Sequence, residues 1–145
     1  MAKIAPFLWF SGNMQEALDL YQSVFKDARV ETLSPIAATF EVLGQKVMAL
    51  NAPSKHAFNE SISFFIDCKT QAEVDYYWDA LKAGGGREQM CGWLKDKFGL
   101  SWQVIPEALG RYLTDKDRAK ADRVMQAMLK MKKIVIADLD KAYAG

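Results

Sequence analysis

Any chemistry in this chain would have to come from one histidine, two cysteines and a few polar residues on strand-like runs. Ser61 and Ser63 fall on one face of such a run, but neither has a histidine base nearby, so serine-based acyl transfer is not expected. His56 sits in the polar stretch Ala52-Pro53-Ser54-Lys55-His56-Ala57-Phe58-Asn59-Glu60 and reads as a solvated linker residue. Cys68 and Cys91 match neither a zinc spacing nor a Cys-x-x-Cys pair, and are expected to be reduced, packed thiols. Three carboxylates lie near strand-like runs: Glu41, Glu60 and Asp96. Asp96, between Lys95 and Lys97 at a turn, reads as solvated or locally paired, and Glu60 is the better candidate for a pocket rim.

Gln103 is the most informative of these side chains. In Ser101–Ile105 the strand period of two puts Ser101, Gln103 and Ile105 on one face, with Trp102 and Val104 on the other. An amide both donates and accepts, so Gln103 could orient a ligand carbonyl or amide. Equally, it could be a buried amide satisfied by neighbouring backbone. Trp9 and Trp93 are candidates for the aromatic walls of a pocket, although core packing is the commoner use of such residues. The candidate ligand contacts are therefore Gln103, Ser61, Ser63, Asn51, Glu60 and Trp93; no catalytic residue and no metal ligand can be named.

The elements that must position these residues are set by an internal repeat at an offset of 57 residues, which carries Asn13 onto Thr70 and Glu16 onto Glu73. Each copy is an apolar β-prone segment, Phe7-Leu8-Trp9-Phe10 or Phe64-Phe65-Ile66-Asp67, that runs into an N-cap residue with glutamate three positions on, the pattern of a capping box. A helix follows each. Ala17, Leu20, Tyr21 and Val24 share one face of the first, and Val74, Tyr77, Trp78 and Leu81 share the equivalent face of the second. Three β-prone runs come after each helix: Arg29–Leu33, Ala37–Leu43 and Lys46–Asn51, then Arg87–Met90, Gly92–Asp96 and Ser101–Ile105. Gly44-Gln45 and Phe98-Gly99 read as the tight turns, and Gly84-Gly85-Gly86 as the stop of the second helix. The order is βαβββ twice.

Beyond Pro106 the pattern changes. A helix is expected to open at Thr114-Asp115, with Val124, Met128 and Met131 along one side and Met125 and Leu129 beside them, a methionine stripe suited to core or subunit-interface packing. A short last helix is expected over Ile134–Tyr143, and Lys130, Lys132 and Lys133 sit where a helix C-terminus favours cations.

The chain has 145 residues, 50% hydrophobic and 26% charged, the composition of one globular domain. Nineteen basic against eighteen acidic side chains leave a net charge of +1, which gives a nucleic acid nothing to bind by charge alone. The longest apolar runs, such as Pro6–Phe10 and Ile62–Ile66, fall well short of the roughly 20 residues that cross a bilayer. No signal-peptide cleavage pattern follows Met1-Ala2-Lys3, so no membrane association and a cytoplasmic location are expected.

Two βαβββ modules in a chain of this length resemble the vicinal oxygen chelate superfamily, which includes glyoxalase I, bleomycin-resistance proteins and extradiol dioxygenases. The segment Cys91-Gly92-Trp93-Leu94-Lys95-Asp96-Lys97-Phe98-Gly99-Leu100-Ser101-Trp102-Gln103-Val104-Ile105-Pro106 looks like the signature of its PhnB-like branch, commonly named 3-demethylubiquinone-9 3-methyltransferase. Ala49-Leu50-Asn51, Phe58-Asn59-Glu60 and the tail from Thr114 to Ala144 are similar to that branch as well, with Ala52 standing where the branch suggests glycine.

The resemblance implies an α+β fold in which two modules, 1–52 and 61–106, curl into a glyoxalase-type cup with the helical segment 107–145 appended, all within one domain over 1–145. In metal-dependent members four inward side chains from the first and last strands of each module hold the ion. Transferred onto this sequence, those positions are Pro6, Ala49, Ser61 and Gln103, three of which carry no strong donor. A methyltransferase cofactor would want a glycine-rich turn from strand to helix, whereas Gly84–Gly86 lies between a helix and a strand. The expectation is therefore a protein with no cofactor that binds a small molecule and forms a homodimer. An enzyme of the same superfamily acting through a site around Gln103 is the alternative, and a purely structural module with no cavity is the third.

Overall fold

The computed structural model describes residues 1–145, in two compact units, Met1–Ala57 and Phe58–Gly145. The first unit contains β1 (Phe7–Phe10), α1 (Met14–Val24), β2 (Arg29–Leu33), β3 (Ala37–Val42) and β4 (Gln45–Asn51). Its sheet has the order β1-β4-β3-β2, with β1 parallel to β4 and the remaining pairs antiparallel. Alternation divides this sheet cleanly. Leu8, Phe10, Ala38, Phe40, Val47 and Ala49 are buried together with Met14, Ala17, Leu18, Tyr21 and Val24 of α1, while Phe7, Trp9 and Met48 on the opposite face remain exposed.

The second unit repeats the plan with β5 (Ser63–Cys68), α2 (Gln71–Lys82), β6 (Arg87–Glu88), β7 (Trp93–Lys95) and β8 (Ser101–Pro106), in the order β5-β8-β7-β6. Met14 and Gln71, the first residues of the two helices, stand 57 positions apart, so the repeat read from the sequence is real at the level of the fold. Val74, Trp78 and Leu81 of α2 are buried, as are Ile66, Cys68, Leu94, Trp102 and Val104 of the strands, while Tyr77 is half-buried. Three helices follow: α3 (Glu107–Leu113), α4 (Arg118–Met128) and α5 (Ile136–Ala144). Ile105, Leu109, Val124, Ile134 and Leu139 form their common core, with Met128 and Met131 of the methionine stripe packed against it, while Leu129 remains exposed. No helix is long and apolar enough to cross a membrane.

Several local expectations are corrected. Thr70 caps α2, accepting from the Glu73 amide at 3.2 Å, while the Glu73 carboxylate reaches back to the Lys69 amide at 3.1 Å. Asn13, at the matching position, makes no side-chain cap bond. The first hairpin turns at Leu43-Gly44 rather than Gly44-Gln45, both residues having positive φ (47° and 78°) as a two-residue turn of type I′ requires. The helix expected from Thr114 begins only at Arg118, capped by Asp117, because Thr114 closes α3, a helix the sequence reading did not contain. The last helix starts at Ile136, two residues later than expected.

Candidate functional site

On the face of the second sheet away from α2, the cross-strand register aligns Phe65, Gln103 and Trp93 in one row and Ser63, Ser101 and Lys95 in the next. Ile105 and Cys91 continue this face toward the C-terminal helices. Phe65, Trp93, Gln103, Ile105 and Cys91 line a pocket of about 330 Å³. Its wall is helical: Leu109, Gly110 and Leu113 from α3 and Met128 from α4.

Gln103 supplies the amide of the pocket, whose other polar side-chain groups are the Cys91 thiol and the Trp93 indole N–H. Its Nε2 donates to Ser63 Oγ at 2.9 Å, and its Oε1 takes no hydrogen bond from the chain. A hydroxyl can donate as well as accept, so Ser63 holds this amide in either orientation and leaves a donor or an acceptor to a ligand. The residue is half-buried, and its amide is anchored by a neighbouring side chain rather than by backbone, with hydrogen-bonding capacity left over on the oxygen.

The base of the pocket is fixed by the tail. Cys91 adopts φ +62°, its amide donating to Met131 O at 2.7 Å, and Gly92 (φ +82°) donates to Lys132 O at 2.8 Å. A Cβ at Gly92 would lie 2.6 Å from Ile105 Cδ1, so glycine is required by both backbone and packing. Gln71 secures the same segment, its amide nitrogen on Ile134 O at 3.0 Å and its oxygen accepting from the Ile136 amide at 2.7 Å, and Lys133 pairs with Asp75 at 2.9 Å.

The remaining candidates are distributed as follows. Ser61 is exposed in the turn before β5, outside the strand that carries Ser63; its amide donates to Asn59 Oδ1 at 2.9 Å. Asn51 serves the backbone of the first unit, accepting from the Gly12 amide at 2.8 Å and donating to Pro35 O at 3.2 Å. Glu60 is exposed and is not among the residues that line the pocket. Its carboxylate pairs with Lys95 at 2.6 Å and accepts from Gln89 at 3.3 Å. Lys95, then its own backbone hydrogen bond and Gln89, hold the acid down to about 2.

Asp96 overturns the expectation of a solvated charge. Only 3% exposed, it accepts from the amides of Phe98 (2.9 Å) and Leu100 (3.1 Å) and from the Trp102 indole (3.0 Å), and so fixes the turn between the two strands that carry Trp93 and Gln103. Trp9 is not core either: it is 39% exposed, its indole donates to Ala52 O at 2.9 Å and its ring meets exposed His56 edge-on at 5.2 Å. Cys68 is a fully buried free thiol, pushed up to about 12 by burial first and then by Glu73 and Asp67. Cys91 is free and half-buried. Of the residues named from the sequence, Gln103 and Trp93 line the pocket, whereas the α3 wall was not anticipated, its only local signals being Pro106 at the cap and Glu107 in the first turn.

A divalent cation of the kind the superfamily implies does not fit these residues. Ala49 lies on the helix-covered face, 1% exposed, so the open faces present Phe7, Trp9 and Met48 in the first unit and Ser63, Phe65 and Gln103 in the second. No three His, Cys, Asp or Glu side chains converge anywhere to hold an ion. Nor does a nucleotide-type cofactor fit: the glycine cluster Gly84–Gly86 follows α2 and precedes β6, and the sheets are mixed.

Comparison with known proteins places this geometry. The family model described as 3-demethylubiquinone-9 3-methyltransferase matches residues 2–105. Among solved structures, the PhnB protein of Bacillus cereus is 29% identical with a TM-score of 0.66, over 72% of this chain and 99% of that one. Protein PA1353 of Pseudomonas aeruginosa shares the fold at 23% identity and a TM-score of 0.63, over 73% and 98% of the two chains. The fosfomycin resistance protein FosX of Listeria monocytogenes, solved with Mn(II) and sulfate, does so at 17% and 0.55, over 77% and 98%. No curated protein matches the chain. With its α+β architecture of two four-stranded mixed sheets and a match spanning more than half its length, the chain belongs to the 3-demethylubiquinone-9 3-methyltransferase family, the PhnB-like branch of the glyoxalase/bleomycin resistance superfamily.

Proposed function

We propose that this chain is a small-molecule-binding protein that works without a metal, its ligand lying on the open face of the second sheet against Trp93 and Gln103. The supporting observation is the pocket of about 330 Å³, apolar except for the Cys91 thiol, the Trp93 indole N–H and one anchored amide whose oxygen takes no bond from the chain. Such sites, roughly 300–1,000 Å³ with a few placed polar groups on apolar walls, are the general design for small ligands. Two free thiols suit a reduced cytoplasmic setting. The exposed side chains Phe7 (56%), Ile62 (57%) and Phe65 (57%) on or beside edge strands support a homodimer.

Native mass spectrometry of the protein as purified, alongside elemental analysis, tests this reading. The expected result is a dimer carrying a non-covalent organic adduct that the Gln103→Leu variant retains poorly. Stoichiometric Zn, Ni, Mn or Fe, with an activity lost on chelation, would replace the reading with that of a metalloenzyme. A clean monomer at micromolar concentration would remove the dimer.

A further inference from the structure

The family match ends at residue 105, yet α3 and α4, both beyond it, build one whole wall of the pocket. Within that wall stands a glycine that the fold does not require. Gly110 lies inside α3 with no positive φ, and a Cβ added there would meet no atom within 4 Å. A glycine inside a helix is destabilising relative to alanine because it loses more backbone freedom on folding. Here neither conformation nor packing accounts for that cost, and Gly110, an exposed residue, is among those that line the pocket. By contrast, Gly92 at the pocket base is demanded by both φ and contacts.

The lining also limits what can enter. No charged side chain borders the cavity: Lys95 is engaged by Glu60 one row away, and Asp67 is an exposed residue outside the lining. A charged ligand would lose its hydration without a counter-charge. Trp93 offers a flat aromatic surface with an indole N–H at its edge, and Gln103 offers an amide oxygen that takes no bond from the chain.

We propose that the C-terminal helices are the specificity element of this protein, with Gly110 kept bare so that an uncharged, flat, largely apolar ligand lies between the α3 backbone and Trp93 with one polar group on Gln103. The inference rests on the ligand-binding reading above but is separable from it, because Gly110 belongs to the helical wall and Gln103 to the sheet. Filling the space at Gly110 excludes the ligand while leaving the sheet face untouched.

Calorimetric titration of the full chain with naphthol, a neutral two-ring phenol, tests it, with naphthoate as the charged counterpart. Wild type should bind naphthol and discriminate against naphthoate. Gly110→Leu should weaken naphthol binding by about tenfold or more, the range by which one misfitting group changes binding in an apolar pocket. Gly110→Ala should weaken it less and melt no lower than wild type, which keeps the test valid should the leucine variant fold poorly. Naphthol binding that falls in Gln103→Leu but is unchanged in both Gly110 variants would overturn the role of the helices and leave the sheet-face site standing. Equal binding of naphthoate would overturn the ligand class. No binding of naphthol to wild type would overturn the ligand class proposed here, the ligand-binding reading being decided by native mass spectrometry, and binding indifferent to Gln103 and Gly110 alike would overturn both readings.

Discussion

Replacing Asp96 with asparagine isolates what holds the two central strands of the site in register. Its Oδ1 accepts from the Phe98 and Leu100 amides and its Oδ2 from the Trp102 indole. Asparagine keeps one carbonyl oxygen for the two amides and turns its NH₂ toward the indole N–H, donor against donor. Trp102 is 2% exposed, so its indole has no access to water. Leaving a buried donor unsatisfied costs about 1–3 kcal/mol, and we take ~2 kcal/mol for Asp96→Asn. For a chain of this size each kcal/mol moves Tm by about 2–4 °C, so the variant should melt roughly 4–8 °C below wild type. Trp102→Phe removes the indole N–H, and in that background Asp96→Asn should cost less by about 1 kcal/mol or more, a measurable coupling. Urea unfolding followed by the fluorescence of the remaining tryptophans gives all four corners of the cycle. An Asp96→Asn variant within about 0.5 kcal/mol of wild type, or strictly additive effects, would refute the claim that this carboxylate ties the turn to the strand.

Three further expectations follow from the same geometry. Thr70→Ala should cost about 1 kcal/mol through loss of the cap on the Glu73 amide, whereas Asn13→Ala, which removes no cap bond, should stay within about 0.5 kcal/mol; thermal melts of the two variants decide it. Gly92→Ala should cost about 2–4 kcal/mol, from left-handed backbone and overpacking on Ile105 together, and a melting point near wild type would contradict it. Cys68 keeps its proton to about pH 12 while the unfolded thiol ionises near 9.0, so the contribution is fully present below pH 9 and is lost as pH rises toward 12. Over that window wild type should lose about 1.4 kcal/mol per pH unit more than Cys68→Ala, and parallel urea midpoints for the two proteins would refute the assignment.

The order of strands and helices was legible because it rests on local signals that recur: apolar alternation, a cap-like residue, an amphipathic helix and turn glycines, each repeated at the same offset. What escaped depends on partners distant in sequence. Asn13 and Thr70 occupy equivalent positions, yet only the threonine side chain closes a cap. Asp96 looked like a surface charge between two lysines, and its burial is decided by an indole six residues on and by the turn that wraps it. Asn51 looked available to a ligand and is consumed by the Gly12 amide and Pro35 carbonyl. Ala49 required the pairing register to be assigned to the covered face rather than the open one, a shift of a single residue. Gln103 and Trp93 were legible as separate strand residues, but their alignment across β7 and β8 needed the register, and the helix above them has a weak start signal and a glycine in its middle, so its wall could not be read from local pattern.

The anchoring of Gln103 on Ser63 spans 40 residues of sequence, and Ser63 belongs to an edge strand that joins its sheet only through parallel pairing with β8. The antiparallel β7–β8 pair opposite is closed by a short turn and braced by a buried carboxylate. Closing the long loop carries an entropic cost that the short one avoids, so β5 amides should exchange with solvent deuterium sooner than those of β8. Any change in the outline of the cavity would then fall to one border, with Phe65 shifting while Trp93 stays in place.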